Sequence, residues 1–314
     1  MKIVFFGSDK FGIPSLEALV SAGYSILCIV TQPDRYKGRG LRMEGTPIKK
    51  IASRLGIKLF QPEDVNSRES VDYLKKVNAD LFIIIAYGQI FSQEALDIPK
   101  IMPINLHASL LPAYRGAAPI NWAFIKGEEK TGVTIAKVTA KLDSGPIILQ
   151  EETAISKEDS VVSLEDRLAQ IGAKLLLEAV VAIGNKNYQL LPQDEKKATF
   201  APKLKKSDGA INWNTPAQDI YNLIRGCAGW PGAFTHYKNR LLKVHKAKIF
   251  PASKSPACAG EIIKADKEGI SVATATDNLV ITELQLEAGK IMSAAQFISG
   301  HRLNIGERLV TKTL

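Results

Sequence analysis

The sequence predicts an α/β protein: a doubly wound, mostly parallel sheet followed by a small β-barrel domain. Three observations carry that expectation. Over the first 183 residues, β-branched and aromatic runs alternate with amphipathic helical stretches, the pattern of a sheet covered by helices. The run at 80–86 is almost wholly apolar, as a strand buried on both faces should be. Beyond residue 206 the apolar runs become short and strand-like.

Residues 2–6 read as the first strand, ended by Gly7. Pro14 suits the first turn of the next helix, whose stripe is Leu16, Leu19 and Val20 and whose stop is Gly23. Residues 25–31 form a second strand. Pro47 opens a helix with Ile48, Ile51 and Leu55 on its inner face, closed by Gly56. A short strand at 58–60, a helix at 67–77 and the strands 80–86 and 102–107 follow. Residues 133–138 and 146–154 read as two further strands, with Asp143, Ser144 and Gly145 as the turn between them. A long amphipathic helix covers 163–183, and Gly184-Asn185 caps it. Residues 1–189 are thus expected to form one domain, 190–206 a linker and 207–314 a second domain. In the last, strands at 233–237, 241–249, 260–263, 269–273 and 278–286 and one short helix at 219–225 are expected.

At 314 residues the chain is long enough for both domains to bury a core. With 46% hydrophobic and 23% charged residues, disorder is excluded. Neither a signal peptide nor a membrane span is visible, and Cys28, Cys227 and Cys258 are too scattered for a disulfide framework or a zinc site. A cytoplasmic, metal-free monomer is expected. The net charge of +9 admits a nucleic-acid partner without requiring one.

The chemistry concentrates in residues 103–119, where an apolar run gives way to Gly116 and Pro119. Asn105 and His107 are two apart, so in a strand their side chains share a face. They stand where the strand becomes a loop, the edge of an open α/β sheet at which ligands bind. Asp143 is the carboxylate best placed to orient the imidazole, although Asp-x-Gly is also ordinary turn chemistry. An amide donor, an imidazole and a carboxylate suit acyl-type transfer without a covalent nucleophile. Ser109 lacks the G-x-S-x-G setting of a nucleophile, and Gly7 to Gly12 lacks the glycines of a dinucleotide site and the lysine of a P-loop.

A second feature is the loop 32–45, which holds Arg35, Lys37, Arg39 and Arg42 among three glycines, with Tyr36 and Met43 beside them. Positive charge with apolar tips suits a phosphate backbone and an unpaired nucleotide. Lys203, Lys205 and Lys206 add charge at the entry to the second domain, and Lys246 and Lys248 share a strand face within it.

The stretch Asn-Leu-His-Ala-Ser-Leu-Leu-Pro-Ala-Tyr-Arg-Gly-Ala-Ala-Pro, with Leu142-Asp-Ser-Gly-Pro146, resembles the signature of the 10-formyltetrahydrofolate-dependent formyltransferases. Thr31-Gln-Pro-Asp-Arg with Gly38-Arg-Gly, Ala201-Pro-Lys-Leu, Trp230-Pro-Gly-Ala and Ala288-Gly-Lys are similar to segments of that family's tRNA-acting branch. The resemblance covers nearly the whole chain. It implies a Rossmann-like formyltransferase domain and a second domain of the OB type. It implies formyl transfer from 10-formyltetrahydrofolate to the α-amino group of methionine on initiator tRNA, for translation initiation.

By the same resemblance Asn105, His107 and Asp143 fall on the catalytic residues, which overrides a turn-only role for Asp143. Ser109, Leu110, Leu111 and Pro112 fall on the folate-contacting segment, and Tyr87, Gly88, Gln89 and Ile90 on the loop whose backbone borders the pterin. The basic loop falls on the segment that enters the acceptor end of the tRNA. The nearest rival acceptor is an amino-sugar nucleotide, which the basic loop argues against. A non-catalytic RNA-binding protein is a rival of another class, and the intact trio argues against it.

Overall fold

The computed structural model describes residues 1–37, 42–251 and 257–312. Strand β1 (Lys2–Gly7) leads through α1 (Ile13–Ser21) to β2 (Ser25–Val30). A hairpin of β3 (Arg35–Lys37) and β4 (Arg42–Glu44) precedes α2 (Pro47–Leu55), β5 (Leu59–Phe60), α3 (Arg68–Val77) and β6 (Leu81–Ile85). Then come α4 (Gln93–Leu96), β7 (Met102–His107), α5 (Pro119–Ile125), β8 (Lys130–Lys137), β9 (Ile147–Ala154) and α6 (Val161–Gly184). Last are α7 (Ala217–Gly226), β10 (Ala233–Tyr237), β11 (Arg240–Phe250), β12 (Ile262–Asp266), β13 (Gly269–Ala273), β14 (Asn278–Leu286), β15 (Met292–Ser293) and α8 (Ala294–Gly300).

The chain divides into two compact units. The first holds Met1–Pro119, Lys130–Ala154 and Glu165–Pro202; the second holds Ile120–Glu129, Ile155–Leu164 and Lys203–Leu314.

In the first unit a seven-stranded sheet runs in the order β5-β2-β1-β6-β7-β8-β9. The strands from β5 to β7 are parallel. Strands β8 and β9 run antiparallel at the far edge, where a hairpin replaces the crossover helix. All five residues of β6 are buried, as its unbroken apolar run requires. Local signals set the helix ends. Thr46 and Ser67 cap α2 and α3 through their hydroxyls, and Gly56 (φ +64°) and Asn78 (φ +57°) close them in the left-handed conformation. Chain reversal between β1 and β6 makes the carboxyl edge a crevice. There the strand ends are knitted together: the Ser8 amide donates to the Ala86 carbonyl at 3.2 Å and its hydroxyl to the Tyr87 carbonyl at 3.0 Å.

The second unit is an antiparallel sheet, β10-β11-β14-β13-β12, with β15 beside β14. The chain after α8 joins its two edges. Ile262 on β12 donates to the Glu307 carbonyl at 2.8 Å, and His236 on β10 exchanges bonds of 3.0 and 3.1 Å with Val310. Both edges are thereby covered, which is the barrel expected from the short runs. Ile262, Val272, Leu279, Ile281 and Leu284 fill it, with Phe297 of α8.

Four observed features depart from the sequence reading. The basic loop is not structureless, because Arg35, Tyr36 and Lys37 pair with Glu44, Met43 and Arg42. The helices α4 and α5 were unexpected, since each is shorter than the window over which a helical period shows. The second unit carries α8 in addition to α7. Its Ser293 caps the helix and Gln296 returns the bond, a signal present in the sequence but set on a very short element. Among the described residues no helix is long and apolar enough to cross a membrane.

Candidate active site

Strand β7 delivers Asn105 and His107 to the carboxyl edge of the first unit's sheet. The intervening Leu106 points the other way, against Gly172 of α6, where a Cβ would lie 2.7 Å from its Cδ2. The loop between β8 and β9 brings Asp143 to the same place. Its carboxylate is 3.5 Å from Asn105 Nδ2 and 3.8 Å from His107 Nδ1. The Gly116 amide donates to its Oδ2 at 2.8 Å. Asp143 adopts φ +45°, a left-handed backbone that Asp tolerates better than most residues.

The imidazole is oriented from its other side. His107 Nε2 lies 2.9 Å from the Tyr114 carbonyl, which can only accept, so the proton of the neutral ring belongs on Nε2. That leaves Nδ1 facing Asp143. His107 and Asp143 are both nearly covered, with 7% and 13% of their side chains exposed. Asn105 uses one amide hydrogen on Asp143, at the limit of hydrogen-bond length, so the second remains to donate to a bound oxygen. The arrangement therefore holds a directed donor and a carboxylate-backed imidazole side by side. That is equipment for stabilising an oxyanion and moving a proton.

The loop after β7 is rigidly held. The Thr134 hydroxyl donates to the Ser109 carbonyl at 2.6 Å and accepts from the Leu111 amide at 3.1 Å. Gln150 donates to the Leu111 carbonyl at 2.8 Å. The Ser109 hydroxyl is turned inward, onto the Ala113 carbonyl at 2.6 Å. Leu111 is buried with Ala136 and Ile147, while Leu110 and Pro112 are half-buried at the surface of the edge.

The loop after β6 lies on the neighbouring strand. The Tyr87 ring packs edge-on against Phe6 inside the core, and burial pushes its phenol up. Only the backbone of Tyr87 is thus open to a ligand role. Gly88 turns the chain with φ +91°. Gln89 holds the adjacent loop, accepting from the Val65 amide at 2.7 Å and donating to the Glu63 carbonyl at 3.0 Å. Ile90 is exposed and apolar. The two loops together offer an apolar rim next to the trio.

Sequence reading gave no role to three residues that frame the site. Arg115 is 1% exposed. It donates to Gln193 Oε1 at 3.1 and 2.8 Å and to the Glu195 carboxylate at 3.2 and 2.8 Å. Gln193 in turn donates to the carbonyls of Asp143 and Gly145. The segment after α6 therefore forms a clasp over the site loop. Its backbone continues the hold, with the Arg115 amide on the Thr199 carbonyl at 2.9 Å and the Ala201 amide on the Arg115 carbonyl at 2.7 Å. The signal available in the sequence was an arginine inside an otherwise apolar stretch.

Arg115, with Lys141 behind it, holds the Glu195 carboxyl down at about 2, against an ordinary 4.5. A carboxyl lowered in the folded state stabilises it in full above the unfolded value and loses that contribution as pH falls through the folded one. Wild-type protein is therefore expected to lose stability between pH 4.5 and about 2 partly through this clasp. Glu195→Gln should flatten that part of the acid limb of a melting-temperature profile and leave the profile's shape near neutrality unchanged. An unaltered acid limb would show that the pair does not contribute.

The basic candidates are more scattered. Arg35 makes a loose ion pair with Glu63 at 3.5 Å, and Arg42 is exposed on β4. Lys37 ends β3, and Arg39 lies outside the described residues. Tyr36 and Met43, directly paired across the hairpin, are 64% and 55% exposed. Lys203, Lys205 and Lys206 belong to the second unit and are exposed. Lys246 and Lys248 are both exposed on β11, despite a bulge at Lys246.

Residues 1–180 match the family Formyl transferase, and residues 203–302 match Formyl transferase, C-terminal domain. A methionyl-tRNA formyltransferase of Thermodesulfovibrio yellowstonii is 45% identical over 304 residues, covering 97% of this chain and 97% of that protein. Another, from Citrifermentans bemidjiense, is 42% identical, covering 99% of this chain and 97% of that protein. Among solved structures, an N-formyltransferase from Helicobacter canadensis with folinic acid and dTDP-3-aminofucose superimposes with a TM-score of 0.69 at 17% identity, covering 90% of this chain and 98% of that one. HypX from Aquifex aeolicus, in complex with tetrahydrofolic acid, gives a TM-score of 0.65 at 16% identity over 95% of this chain. This chain spans about half of HypX, 47% of its length. At such identities the structural likeness speaks for the fold alone.

Proposed function

The chain belongs to the formyl transferase family, and from that membership we propose that it carries the formyl group of 10-formyltetrahydrofolate to the α-amino group of methionine on initiator tRNA. The observation that carries the reading is the meeting of Asn105 and His107 with the Asp143 carboxylate at the end of β7. Full-length relatives at 45% and 42% identity, named methionyl-tRNA formyltransferase, support the choice of acceptor.

In the proposed reaction the amine lone pair attacks the formyl carbon, and the formyl oxygen becomes an oxyanion. The free amide hydrogen of Asn105 stabilises that charge, and the imidazole adds its positive charge once it has taken the amine's proton. A single aligned donor of this kind contributes roughly 10²–10³ in rate. The amine's proton passes to His107 Nδ1, where Asp143 steadies the positive ring, and the ring returns that proton to N10 of the folate as the tetrahedral carbon expels it. An aminoacyl ester amine is a ready nucleophile when neutral, so positioning and polarisation are the protein's main tasks. The rim of Leu110, Pro112, Ile90 and the backbone at 87–90 would hold the folate. We assign catalysis to residues 1–189 and tRNA binding to 207–314, joined by 190–206, in a cytoplasmic monomer.

For the tRNA, the β3–β4 hairpin sets an exposed Tyr36–Met43 pair between Arg35 and Arg42. Such a pair can cover the face of an unstacked nucleotide while the arginines meet phosphates. Arg42→Ala is expected to raise the tRNA KM and to lower the slope of log KM against log salt by about 0.7–0.9, one phosphate contact. The folate KM should not move. Unchanged tRNA KM and slope would remove the hairpin from the interface.

A further inference from the structure

We propose that Gln193 is a positioning residue for the reaction: its amide ties buried Arg115 to the turn that carries Asp143, and so fixes that carboxylate against Asn105 and His107. The inference rests on the proposed function and extends it to a residue outside the trio.

A glutamine amide has two N–H donors and an oxygen with two lone pairs. Gln193 uses all four. Its oxygen accepts from Arg115 Nε at 3.1 Å and Nη2 at 2.8 Å, and its nitrogen donates to the carbonyls of Asp143 at 2.9 Å and Gly145 at 2.7 Å. The two ends of this link are the two supports of the trio. Arg115 lies between Tyr114, whose carbonyl orients His107, and Gly116, whose amide holds Asp143 Oδ2. The other end grips the turn in which Asp143 takes φ +45°. That turn has no room to relax towards the sheet, since a Cβ on Gly145 would meet the Lys137 carbonyl oxygen at 1.7 Å. The Asp143 side chain is held directly by the Gly116 amide at 2.8 Å, with only a long contact to Asn105 and none with His107 inside 3.8 Å. Beyond that amide its place is set through the backbone, which Gln193 holds on either side of Ser144.

A purely structural clamp would need only to fasten the segment after α6. Backbone bonds already do so. Leu191 and Ile147 exchange bonds of 2.8 and 2.9 Å, and Thr199 and Ala201 bond to Arg115. Among the described residues, the amide of Gln193 is the bond from that segment that reaches Asp143 itself.

Gln193→Glu keeps the shape and the acceptor face towards Arg115, but removes both N–H groups and sets a carboxylate oxygen against two carbonyl oxygens. With kcat limited by the placement of Asp143, kcat should fall about 10- to 100-fold. The KM values for folate and tRNA should stay within about twofold, the signature of a contact that matters only in the transition state. The pH dependence of kcat should also shift, because the carboxylate has moved relative to the imidazole. If Q193E does not accumulate as folded protein, Q193N serves, since it keeps the amide but is a methylene too short to span Arg115 and the turn. A folded variant with wild-type kcat and pH profile, or one altered only in KM or melting temperature, overturns the inference. Failure of the underlying reading looks different: the wild-type protein itself then forms no formylated aminoacyl-tRNA.

Discussion

His107→Ala is expected to reduce kcat for formyl transfer by about 10²- to 10⁴-fold, the usual value of a positioned acid–base group. Folate binding should be nearly unaffected, because the ring is almost covered and is oriented by Tyr114 and Asp143 rather than by the rim residues. Asn105→Ala should cost roughly 10²–10³, again in kcat, since its free N–H is aimed at charge that exists only after attack. Asp143→Asn should resemble the histidine variant. The Gly116 amide can still be met by the new carbonyl oxygen, but the negative charge behind the ring is gone. Losses at His107 and Asp143 should not multiply in the double variant, because the two groups act as a unit. Single-turnover kinetics with both substrates saturating would measure these effects. Wild-type turnover in either the Asn105 or the His107 variant would dismiss the site.

Arg115→Ala is expected to destabilise the first unit strongly. It removes four hydrogen bonds from a side chain with no exposure and leaves a space that Gln193 cannot fill. Because the Glu195 side chain is 57% exposed, its charge can rehydrate and the penalty of a stranded buried ion does not apply. The net loss should be about 2–4 kcal/mol, from the lost bonds and the cavity together. The choice of probe matters. Trp122, Trp213 and Trp230 all fall in the second unit, so tryptophan fluorescence reports that unit. Deuterium uptake of peptides spanning 107–118 and 190–201 reports the first. Protection there should drop sharply, and wild-type protection would mean that the clasp adds nothing to stability.

Much of the frame was legible because it rests on local rules. The apolar run of β6, the helix opened by Pro47 and its stop at the left-handed Gly56 are each decided within a few residues. The shared face of Asn105 and His107 followed from the period of a strand. Asp143 stood out as the best carboxylate candidate, but spacing alone equally made it a turn residue, and the resemblance decided between the two. The clasp was out of reach for a different reason. Arg115 meets Gln193 across 78 positions and Glu195 across 80, and no period or motif of a linker-like stretch announces a pairing of that range. The β3–β4 hairpin was hidden by its composition, because arginines, lysine and glycines around single apolar residues read as a solvated loop. Its exposed Tyr36–Met43 pair becomes visible only when the two arms are set in register.

The central claim, formyl transfer to initiator methionyl-tRNA, is tested most directly by one assay with three acceptors offered in parallel. These are charged initiator tRNA, charged elongator tRNA and an amino-sugar nucleotide, each with 10-formyltetrahydrofolate, and the formylated product is read by mass. Formylation of the initiator aminoacyl-tRNA alone is the predicted result. Formylation of the sugar alone would keep Asn105, His107 and Asp143 in their roles but contradict the acceptor, and with it the part given to the β3–β4 hairpin.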